Sequence, residues 1–462
     1  MKLKPGISLL MSAFMLLGTA CQSAPPAQPT AAPARPTTAP AQPTAAPAQP
    51  TPAAAQAPTT APASQPAGQK VTITYWNGFT GGDRPTFEAL FKQFNDTHPN
   101  IELKVDIQPW DSIAQKLPAA LATGQGPDIA TPDYNVGTIR QYAKNGLILP
   151  LDDLYASGAG KIDRAAIPKG LVDGFSVDGT LYAAPANFAT LLLYYNKDAF
   201  AEAGIAAPPR TMDEFRDAAQ KLTKLDASGN VTQFGIALPE RQTIANWPIL
   251  IWADGGDLLD AKGCSALGDP KTIAAVKSWA DLIVNKKISP VGETGQGSDN
   301  LFAAKKAAME INGPWAAGQY KGAGVNFDVA PVPNGSAGAV TLASTVPMVV
   351  NKSTKNKAAV YEFLSWWTSK EAQATLAVGA GFPPVRTDMA GDPTLAQNPL
   401  VPKFAAAAPS SRLYLATVDK FAQIDTDVIS PAIARATRGE PADAVLKDAA
   451  GKMNTLIGGG CQ

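Results

Sequence analysis

Residues 71–107 read VTITYWNGFTGGDRPTFEALFKQFNDTHPNIELKVDI, and this stretch decides the fold. Its first six residues are mostly β-branched or aromatic, which is typical of a buried strand. A helix is predicted to follow, with Asp83 as its cap and Pro85 in its first turn. Its core-facing side has the spacing i, i+3, i+4, i+7, at Phe87, Leu90, Phe91 and Phe94. A second strand is predicted over 101–107. This order predicts a parallel sheet with helices on both faces, in which ligands bind at the carboxyl ends of the strands.

The same alternation of strand and helix patterns continues through residues 70–462. The whole chain of 462 residues is long enough for two or three domains. Strands are predicted as a pair over 181–195 and singly over 307–311. Helices are predicted over 113–122, 212–225, 273–284 and 357–378. The predicted fold class is therefore α/β.

Composition excludes several classes of function. The chain has 39 Lys and Arg against 39 Asp and Glu, so it lacks the basic excess of a nucleic-acid-binding protein. His98 is the one histidine, which rules out a HExxH zinc site, and the sequence contains neither a CxxC nor a P-loop motif. We therefore expect no metal, no cofactor and no nucleic-acid partner.

The N-terminus is typical of an exported lipoprotein. Two lysines and an apolar run at 7–17 indicate a signal peptide over residues 1–20, since that run is too short to span a bilayer core of roughly 30 Å. The small residues before Cys21 resemble a bacterial lipobox, in which the cysteine becomes the lipidated first residue. Gly18 stands where that motif usually has Leu. The alternative is an ordinary secretory signal with a chance cysteine.

The segment after Cys21 is predicted to be a tether. Residues 22–69 consist almost entirely of Ala, Pro, Thr and Gln, with thirteen prolines, and the sequence AQPTAAPA occurs at both 27–34 and 41–48. Such a segment has no apolar periodicity, so nothing offsets the entropy cost of ordering its backbone. Its prolines favour an extended spacer. Residues 21–69 are therefore expected to form a disordered link between a lipid anchor and the folded part.

Seven short motifs follow one another along residues 70–462. They are YWNG at 75–78, GPDI at 126–129, YAAP at 182–185, LYYNKD at 193–198, GGDLLD at 255–260, KAAMEINGPW at 306–315 and FPPVR at 382–386. Their order and spacing resemble those of the extracellular solute-binding proteins of carbohydrate ABC importers, the maltose-binding-protein-like family.

The resemblance implies a two-lobe periplasmic-binding-protein-like fold of type II, with a ligand cleft between the lobes and about three hinge crossovers. The N-terminal lobe would comprise 70–186 and 342–385, and the C-terminal lobe 187–341 and 386–462. Hinge residues are expected near Ala186 and near residues 342–344.

A sugar site needs aromatic platforms for the C–H faces of the ligand and planar polar groups for its hydroxyls. The loops at which the family places its cleft supply ten candidate ligand-binding residues. They are Asn77, Phe79, Thr80, Asp133, Tyr134, Asn187, Trp247, Trp252, Trp315 and Arg386.

Each candidate has an alternative role. Trp315 follows Gly313 and Pro314 directly after a strand, and the family's tryptophan at this place stacks on the ligand. For Trp247 and Trp252, packing in the core is an equal alternative. Asn77, Phe79 and Thr80 are compatible with plain turn chemistry, and Arg386 with a bridge between lobes. Of the other tryptophans, Trp279 and Trp367 are predicted to be core and Trp110 to pack at a helix start.

Two cysteines remain besides Cys21. An exported chain with two further cysteines favours a disulfide between Cys264 and Cys461, which would attach the C-terminal tail to the second lobe. The alternative is that Cys461, as the penultimate residue, frays with the terminus.

The sequence therefore predicts a monomeric, non-enzymatic binding protein, anchored to the outer face of the cell membrane by lipidated Cys21. It would capture a mono- or oligosaccharide by lobe closure and deliver it to the permease subunits of an ABC importer. One alternative is a binding protein for a glycerol-phosphate ester or another polar solute. The other is a tethered glycoside hydrolase, which would need two carboxylates across the scissile bond.

Overall fold

A computed structural model describes residues 70–133, 136–156, 160–240 and 246–461. The predicted signal peptide, Cys21 and the tether lie outside the described residues, as does Tyr134. Within the described part, no helix is both long and apolar enough to cross a membrane.

The strands of the described residues are numbered in chain order. They are β1 (Val71–Asn77), β2 (Ile101–Ile107), β3 (Ile129–Ala130), β4 (Ser176–Val177), β5 (Thr180–Leu181), β6 (Ala183–Pro185), β7 (Ala189–Thr190), β8 (Leu192–Asn196), β9 (Lys224–Leu225), β10 (Val231–Gln233), β11 (Met309–Asn312), β12 (Phe327–Ala330), β13 (Thr341–Ser344), β14 (Pro347–Val350) and β15 (Ser411–Leu413).

The α-helices are numbered in the same way. They are α1 (Arg84–Thr97), α2 (Trp110–Ala122), α3 (Gly137–Lys144), α4 (Lys169–Gly174), α5 (Lys197–Glu202), α6 (Met212–Leu222), α7 (Asn246–Ala253), α8 (Pro270–Lys286), α9 (Gly295–Ala303), α10 (Ala317–Gly322), α11 (Lys357–Trp367), α12 (Lys370–Ala380), α13 (Leu400–Ala406), α14 (Phe421–Ile424), α15 (Ser430–Thr437) and α16 (Ala442–Ile457). Short 3-10 turns lie at Arg164–Ala166, Pro314–Ala316, Thr387–Met389, Pro393–Gln397 and Ala408–Ser410, and a π-helical turn at Asp425–Ile429.

The first sheet has the strand order β2-β1-β3-β14-β6. β1 pairs in parallel with β2 and β3, as the sequence predicts, while β14 runs antiparallel to both of its neighbours, which it does not predict. Helix α1 lies against this sheet. The four residues of its predicted apolar stripe are all buried, as the sequence predicts; they are Phe87, Leu90, Phe91 and Phe94. The carboxyl end of β1, at Asn77, therefore opens toward the second half of the protein. We call the part built on this sheet the N-terminal lobe.

The second sheet has the order β11-β8-β12, with β8 antiparallel to both partners. Parallel bridges from Phe234 to Ala307 and from Ala237 to Glu310 add a further extended segment beside β11. A separate hydrophobic cluster surrounds this sheet and includes the fully buried Trp279 of α8. We call this part the C-terminal lobe.

The chain passes from one lobe to the other where its buried residues pass from one hydrophobic cluster to the other. Ala189 packs in the N-terminal cluster and Leu191 in the C-terminal one, and the chain returns between Leu342 and Val346. At these two crossovers β7 and β13 pair antiparallel, and β15 adds to β13 in parallel. The third passage follows Val385, the last residue of the N-terminal cluster.

Four predicted elements are corrected by the structure. The helix over 357–378 is two helices, because the chain breaks at Thr368 and the Ser369 hydroxyl accepts a hydrogen bond from the Ala372 backbone N–H and so caps α12. The strand pair over 181–195 is divided into four short strands by the first crossover. Helix α2 begins earlier than predicted, at Trp110. Helix α6 stops at Leu222, since β9 follows directly.

The structure joins Cys264 to Cys461 in a disulfide, with the two Cα atoms 5.4 Å apart. The bond attaches the tail beyond α16 to the turn that follows α7. Nearby, the backbone N–H of Ser265 donates to the side chain of Asn454 at 2.7 Å. The C-terminal helix is thus held to the C-terminal lobe covalently and by hydrogen bonding.

We expect Cys264→Ser to lower the free energy of unfolding by about 2–4 kcal/mol. The disulfide joins positions 197 residues apart, so breaking it restores much conformational freedom to the unfolded chain. Urea unfolding followed by circular dichroism measures the change. Reductant should lower the midpoint of the native protein and leave that of Cys264→Ser unchanged; equal midpoints for native protein and variant would contradict the expectation.

Candidate functional site

A cavity of about 710 Å³, counted out to its open mouth, lies between the two lobes. Its lining comes from the loop between β1 and α1, from the start of α2, from the two crossovers and from the C-terminal lobe. The lining residues are Gly78, Phe79, Thr80, Gly81, Asp83, Trp110, Asn187, Gln296, Asp299, Trp315, Ser344 and Val346. Four of the ten predicted site residues are in this lining. Five others lie elsewhere, and Tyr134 is not described. The five are Asn77, Asp133, Trp247, Trp252 and Arg386.

The loop after β1 is shaped by Asn77, which is fully buried beneath it. Its side-chain oxygen accepts a hydrogen bond from the backbone N–H of Phe79 at 3.2 Å. A Cβ atom on Gly78 would lie 2.1 Å from the ring of Trp110, so only glycine lets that ring rest on the backbone. Asn77 is thus a positioning residue for the loop and is not among the residues that line the cavity, so its contact with ligand stays a prediction.

Phe79 forms an aromatic wall of the cavity. Its ring stacks on Phe87 of α1 with centroids 3.7 Å apart and meets the ring of Trp110 edge-on at 5.9 Å. Because Phe87 belongs to the buried stripe of α1, the wall is fixed to the core of the N-terminal lobe. Thr80 is exposed beside it and also lines the cavity.

Trp315 lies where the two lobes meet. Its half-buried side chain packs against all three hydrophobic clusters of the described residues, and its ring centroid is 6.3 Å from that of Phe382 in the N-terminal lobe. A Cβ on Gly313 would lie 2.2 Å from the Trp315 ring, so the glycine lets the ring fold back over the strand end. An aromatic side chain that faces the cavity and touches both lobes is placed to sense whether the lobes are closed.

Asn187 lies at the first crossover, where its side chain lines the cavity. Its side-chain oxygen accepts a hydrogen bond from the backbone N–H of Val346 at 3.0 Å, and its backbone oxygen accepts one from the Thr345 hydroxyl at 2.7 Å. These bonds hold the two crossover strands together, so Asn187 both faces a ligand and braces the hinge.

The structure adds an acidic residue that sequence reasoning missed. Asp299 of α9 lines the cavity and accepts a hydrogen bond from the side-chain N–H of Asn312 at 2.7 Å. Behind it, the fully buried Glu310 accepts hydrogen bonds from Asn312 and from the hydroxyl of Tyr320. Burial raises the pKa of both carboxyl groups, and the neighbouring Asp299 raises that of Glu310 further. The only sequence clue was Glu310, a charged residue inside an apolar strand.

Asp83 is a second acidic residue in the cavity wall. The sequence predicts it as the cap of α1, but its side chain makes no capping hydrogen bond; its backbone oxygen accepts from the N–H groups of Thr86 and Phe87 instead. The side chain is 6% exposed, and this burial raises the pKa of its carboxyl to about 7.

We expect Asp83→Asn to change the pH dependence of stability. The folded protein keeps the proton of Asp83 up to about pH 7, whereas an unfolded chain releases it near pH 4. The free energy of unfolding contributed by this group therefore falls as pH rises from about 4 to 7. The variant should equal the native protein near pH 4 and exceed it at pH 8 by at most about 4 kcal/mol. Urea midpoints across this range give the difference, and one that is the same at every pH would contradict the assignment.

Three predicted residues lie in other surroundings. Trp247 and Trp252 belong to α7, whose residues are all buried, and pack in the C-terminal cluster. Arg386 donates two hydrogen bonds to Asp388, at 2.9 and 2.8 Å, and a third to the carbonyl of Thr368 at 3.0 Å. Its guanidinium holds the pKa of Asp388 at about 2. Core packing and internal pairing involve these three side chains, and none of the three lines the main cavity. Trp252 also lines a second cavity, together with Arg412. Ligand contact for these residues stays a prediction.

Asp133 lines a neighbouring cavity of about 460 Å³ that lies between α2 and the residues around α14. Trp110 lines both this cavity and the larger one. Asp133 is therefore near the main cavity but separated from it by the Trp110 side chain.

The lobes approach each other closely at two glycines. A Cβ on Gly318 of α10 would lie 2.7 Å from the carbonyl oxygen of Gly82, and a Cβ on Gly82 would lie 2.7 Å from the backbone nitrogen of Gln319. Gly82 belongs to the loop between β1 and α1, so this is a backbone-to-backbone contact between lobes. The two lobes therefore touch at these glycines.

Comparisons with a protein family, with related sequences and with solved structures all find binding proteins. The family described as bacterial extracellular solute-binding protein matches residues 80–374. A binding protein of Brucella abortus is 30% identical over 86% of this chain and 95% of its own length, and the maltotriose-binding protein of Pyrococcus abyssi is 26% identical over 72% of this chain and 71% of its own. An ABC-transporter solute-binding protein of Thermotoga lettingae, solved with α-D-tagatose, is 26% identical and superposes with a TM-score of 0.74, covering 84% of this chain and all of that one.

Proposed function

This chain belongs to the family of bacterial extracellular solute-binding proteins, and from that premise we propose that it captures a carbohydrate between its lobes for an ABC importer. The observation that carries the proposal is the position of Trp315, which faces the cavity and packs against both lobes at once. A sugar ring stacked on it would be held by both lobes only in the closed arrangement. Closure would then be driven by the ligand.

The character of the wall favours a carbohydrate. Phe79, Trp110 and Trp315 supply aromatic surface, and Asn187 and Gln296 are amides that both donate and accept hydrogen bonds. One relative is a maltotriose-binding protein, and one similar structure was solved with α-D-tagatose; both support a carbohydrate ligand. Among the described lining residues none is Lys, Arg or His, and this disfavours the alternative ligand, a glycerol-phosphate ester.

The proposed mechanism is hinge closure about the crossover strands. A ligand that touches both lobes only when they are shut has a higher affinity for the closed form, and this difference moves the open–closed equilibrium. A shift from 1:99 to 99:1 requires about 5.5 kcal/mol of differential binding. The closed form would be the one that the permease subunits recognise.

We place the protein on the outer face of the cell membrane, held as a monomer by lipid on Cys21, with residues 22–69 as a spacer. The sequence of the N-terminus and the match to an extracellular family support the export and anchoring that we propose. Cys21→Ser should move the protein from the membrane fraction to the medium or the soluble fraction, and mass spectrometry of the native N-terminus should find an acylated cysteine. Membrane retention of the variant would contradict the anchor.

A thermal-shift panel of mono- and oligosaccharides on the purified protein tests the ligand class. A ligand at about 100 times its dissociation constant should add about 2.7 kcal/mol to the free energy of unfolding. A shift with glycerol 3-phosphate and with no sugar would replace the carbohydrate by a phosphate ester. We also expect no enzymatic activity, so release of new reducing ends from a glycan during the incubation would establish the glycoside-hydrolase alternative.

A further inference from the structure

Two acidic side chains line the cavity, and none of its described lining residues is basic. Asp83 and Asp299 both line it, and neither forms an ion pair with any residue that the structure describes. By contrast, the half-buried Asp254 and the buried Glu240 of the C-terminal lobe each contact an arginine. Removing a carboxylate from water is unfavourable unless a positive group or several hydrogen-bond donors compensate it. No positive side chain of the described lining does so for Asp83 or Asp299.

The surroundings of Asp299 keep a negative charge at the cavity wall. Asn312 donates to both Asp299 and Glu310, and the Tyr320 hydroxyl donates to Glu310. Burial raises the pKa of both carboxyl groups, and Asp299 raises the pKa of Glu310 further, so Glu310 takes up a proton more readily than Asp299. Because Glu310 is fully buried and Asp299 faces the cavity, the charge is available to a ligand through Asp299.

The second carboxyl group is that of Asp83. Unlike Asp299, which accepts a hydrogen bond from Asn312, it has no side-chain donor among the described residues. Its side chain is nine-tenths buried, faces the cavity and makes no capping bond to α1. The neighbouring Arg84 points its guanidinium at Glu88 instead, at 2.8 Å. A cation brought by the ligand would fill the place that no side chain of the described lining fills.

Aromatic side chains complete the arrangement. Trp110, Trp315 and Phe79 line the same cavity as the two carboxyl groups. Aromatic rings attract cations through the negative potential of their faces, and rings grouped around carboxylates are a common way to hold an ammonium group. Neutral sugars use the rings as well, but they leave the two carboxyl groups without a cationic partner.

We propose that the ligand carries a cationic nitrogen, held between Asp83 and Asp299 and against the aromatic side chains of the cavity. The inference rests on the proposed function and narrows it, since a sugar or cyclitol amine would be preferred to the neutral sugar of the same size. A choline ester offers the same chemistry from a second source.

Isothermal titration of the purified native protein with three matched pairs tests the inference. The pairs are the glucosamine tetramer against cellotetraose, 6-amino-6-deoxyglucose against glucose, and glycerophosphocholine against glycerol 3-phosphate. In each pair the first member has a cationic nitrogen and the second does not. We expect the cationic member of at least one pair to bind at least tenfold more tightly, and the pair that shows this identifies the source as a sugar amine or a choline ester.

Three variants link the preference to the two carboxyl groups. Asp83→Asn and Asp299→Asn should each reduce the ratio of affinities within the preferred pair by at least tenfold. Asp281→Asn is the matched control, because Asp281 is an exposed carboxylate of α8 that pairs with Lys277 outside the cavity. If Asp299→Asn fails to fold through loss of its bond with Asn312, Asp83→Asn still decides the question.

The outcomes separate this inference from the proposed function. Equal or tighter binding of the neutral sugar in both sugar pairs, without a preference for glycerophosphocholine, overturns the cationic ligand and leaves carbohydrate capture standing. Binding of none of the six compounds overturns both. A preference that survives both cavity variants overturns the assignment to Asp83 and Asp299.

Discussion

Replacing Trp315 by Ala should lower the affinity for ligand by at least about 30-fold, or about 2 kcal/mol, and leave the fold intact. Trp315 is a large aromatic side chain in the wall of the cavity, and truncation of such aromatic anchors typically costs 2 kcal/mol or more. The loss is expected to be larger than for a residue of one lobe, because Trp315 packs against both lobes. Isothermal titration with whichever compound produces the largest thermal shift measures the change.

Trp366→Ala is the matched control for this experiment. Trp366 is half-buried, contacts Phe94 and His98 within the N-terminal lobe, and does not line the cavity. Its truncation should lower the unfolding midpoint and leave the affinity unchanged. An unchanged affinity in Trp315→Ala, or an equal loss in both variants, would show that Trp315 is only a packing residue.

A side chain at Gly318 should prevent full closure. The Cβ of Gly318→Ala would lie 2.7 Å from the carbonyl oxygen of Gly82, and backbone atoms cannot move aside as a flexible side chain can. Overpacking of this kind costs about 1–3 kcal/mol, and here it is imposed only on the closed form. We therefore expect the ligand affinity to fall by about 5- to 150-fold, mostly through faster dissociation, as titration and stopped-flow measurements would show.

Gly322→Ala separates this steric effect from the effect of alanine on a helix. Gly322 lies on the same helix, α10, and a Cβ there has no heavy atom within 4 Å. Both variants gain the same helix propensity, but only Gly318→Ala should lose affinity. Small-angle scattering should show a larger radius of gyration for Gly318→Ala with ligand than for the native protein. Normal compaction and affinity would refute the glycine contact as the limit of closure.

Much of the fold was predictable because its local patterns are strong. The stripe of α1 and the first strand are clear in the sequence, and both occur as predicted. The antiparallel β14 was not predictable in this way, since strand direction depends on where a crossover returns the chain and not on the pattern of the strand itself. The break between α11 and α12 was missed because both halves have apolar positions that suit a single helix.

The residues of the candidate site were likewise only partly predictable from the sequence. Phe79, Thr80, Asn187 and Trp315 were predicted from their places at strand ends and crossovers, and the structure brings them to one cavity. Trp247 and Trp252 also lie near a turn, but α7 is buried on every side, so its aromatic residues are core. The sequence allowed Arg386 to bind a ligand. In the structure its guanidinium donates hydrogen bonds to Asp388, two residues away.

The amino-acid sequence by itself determined the class of the protein, the alternation of strands and helices and the aromatic residues that belong at the cleft. These properties depend on periodicity and on short motifs, which are local. Only the tertiary structure decided the charge of the cavity, because Asp83 and Asp299 are 216 positions apart in the numbering and gain their meaning from shared burial. It also decided the contact of Gly82 with Gly318, since the need for glycine there comes from another lobe. Desolvation and close packing are properties of the folded chain, and no stretch of sequence displays them alone.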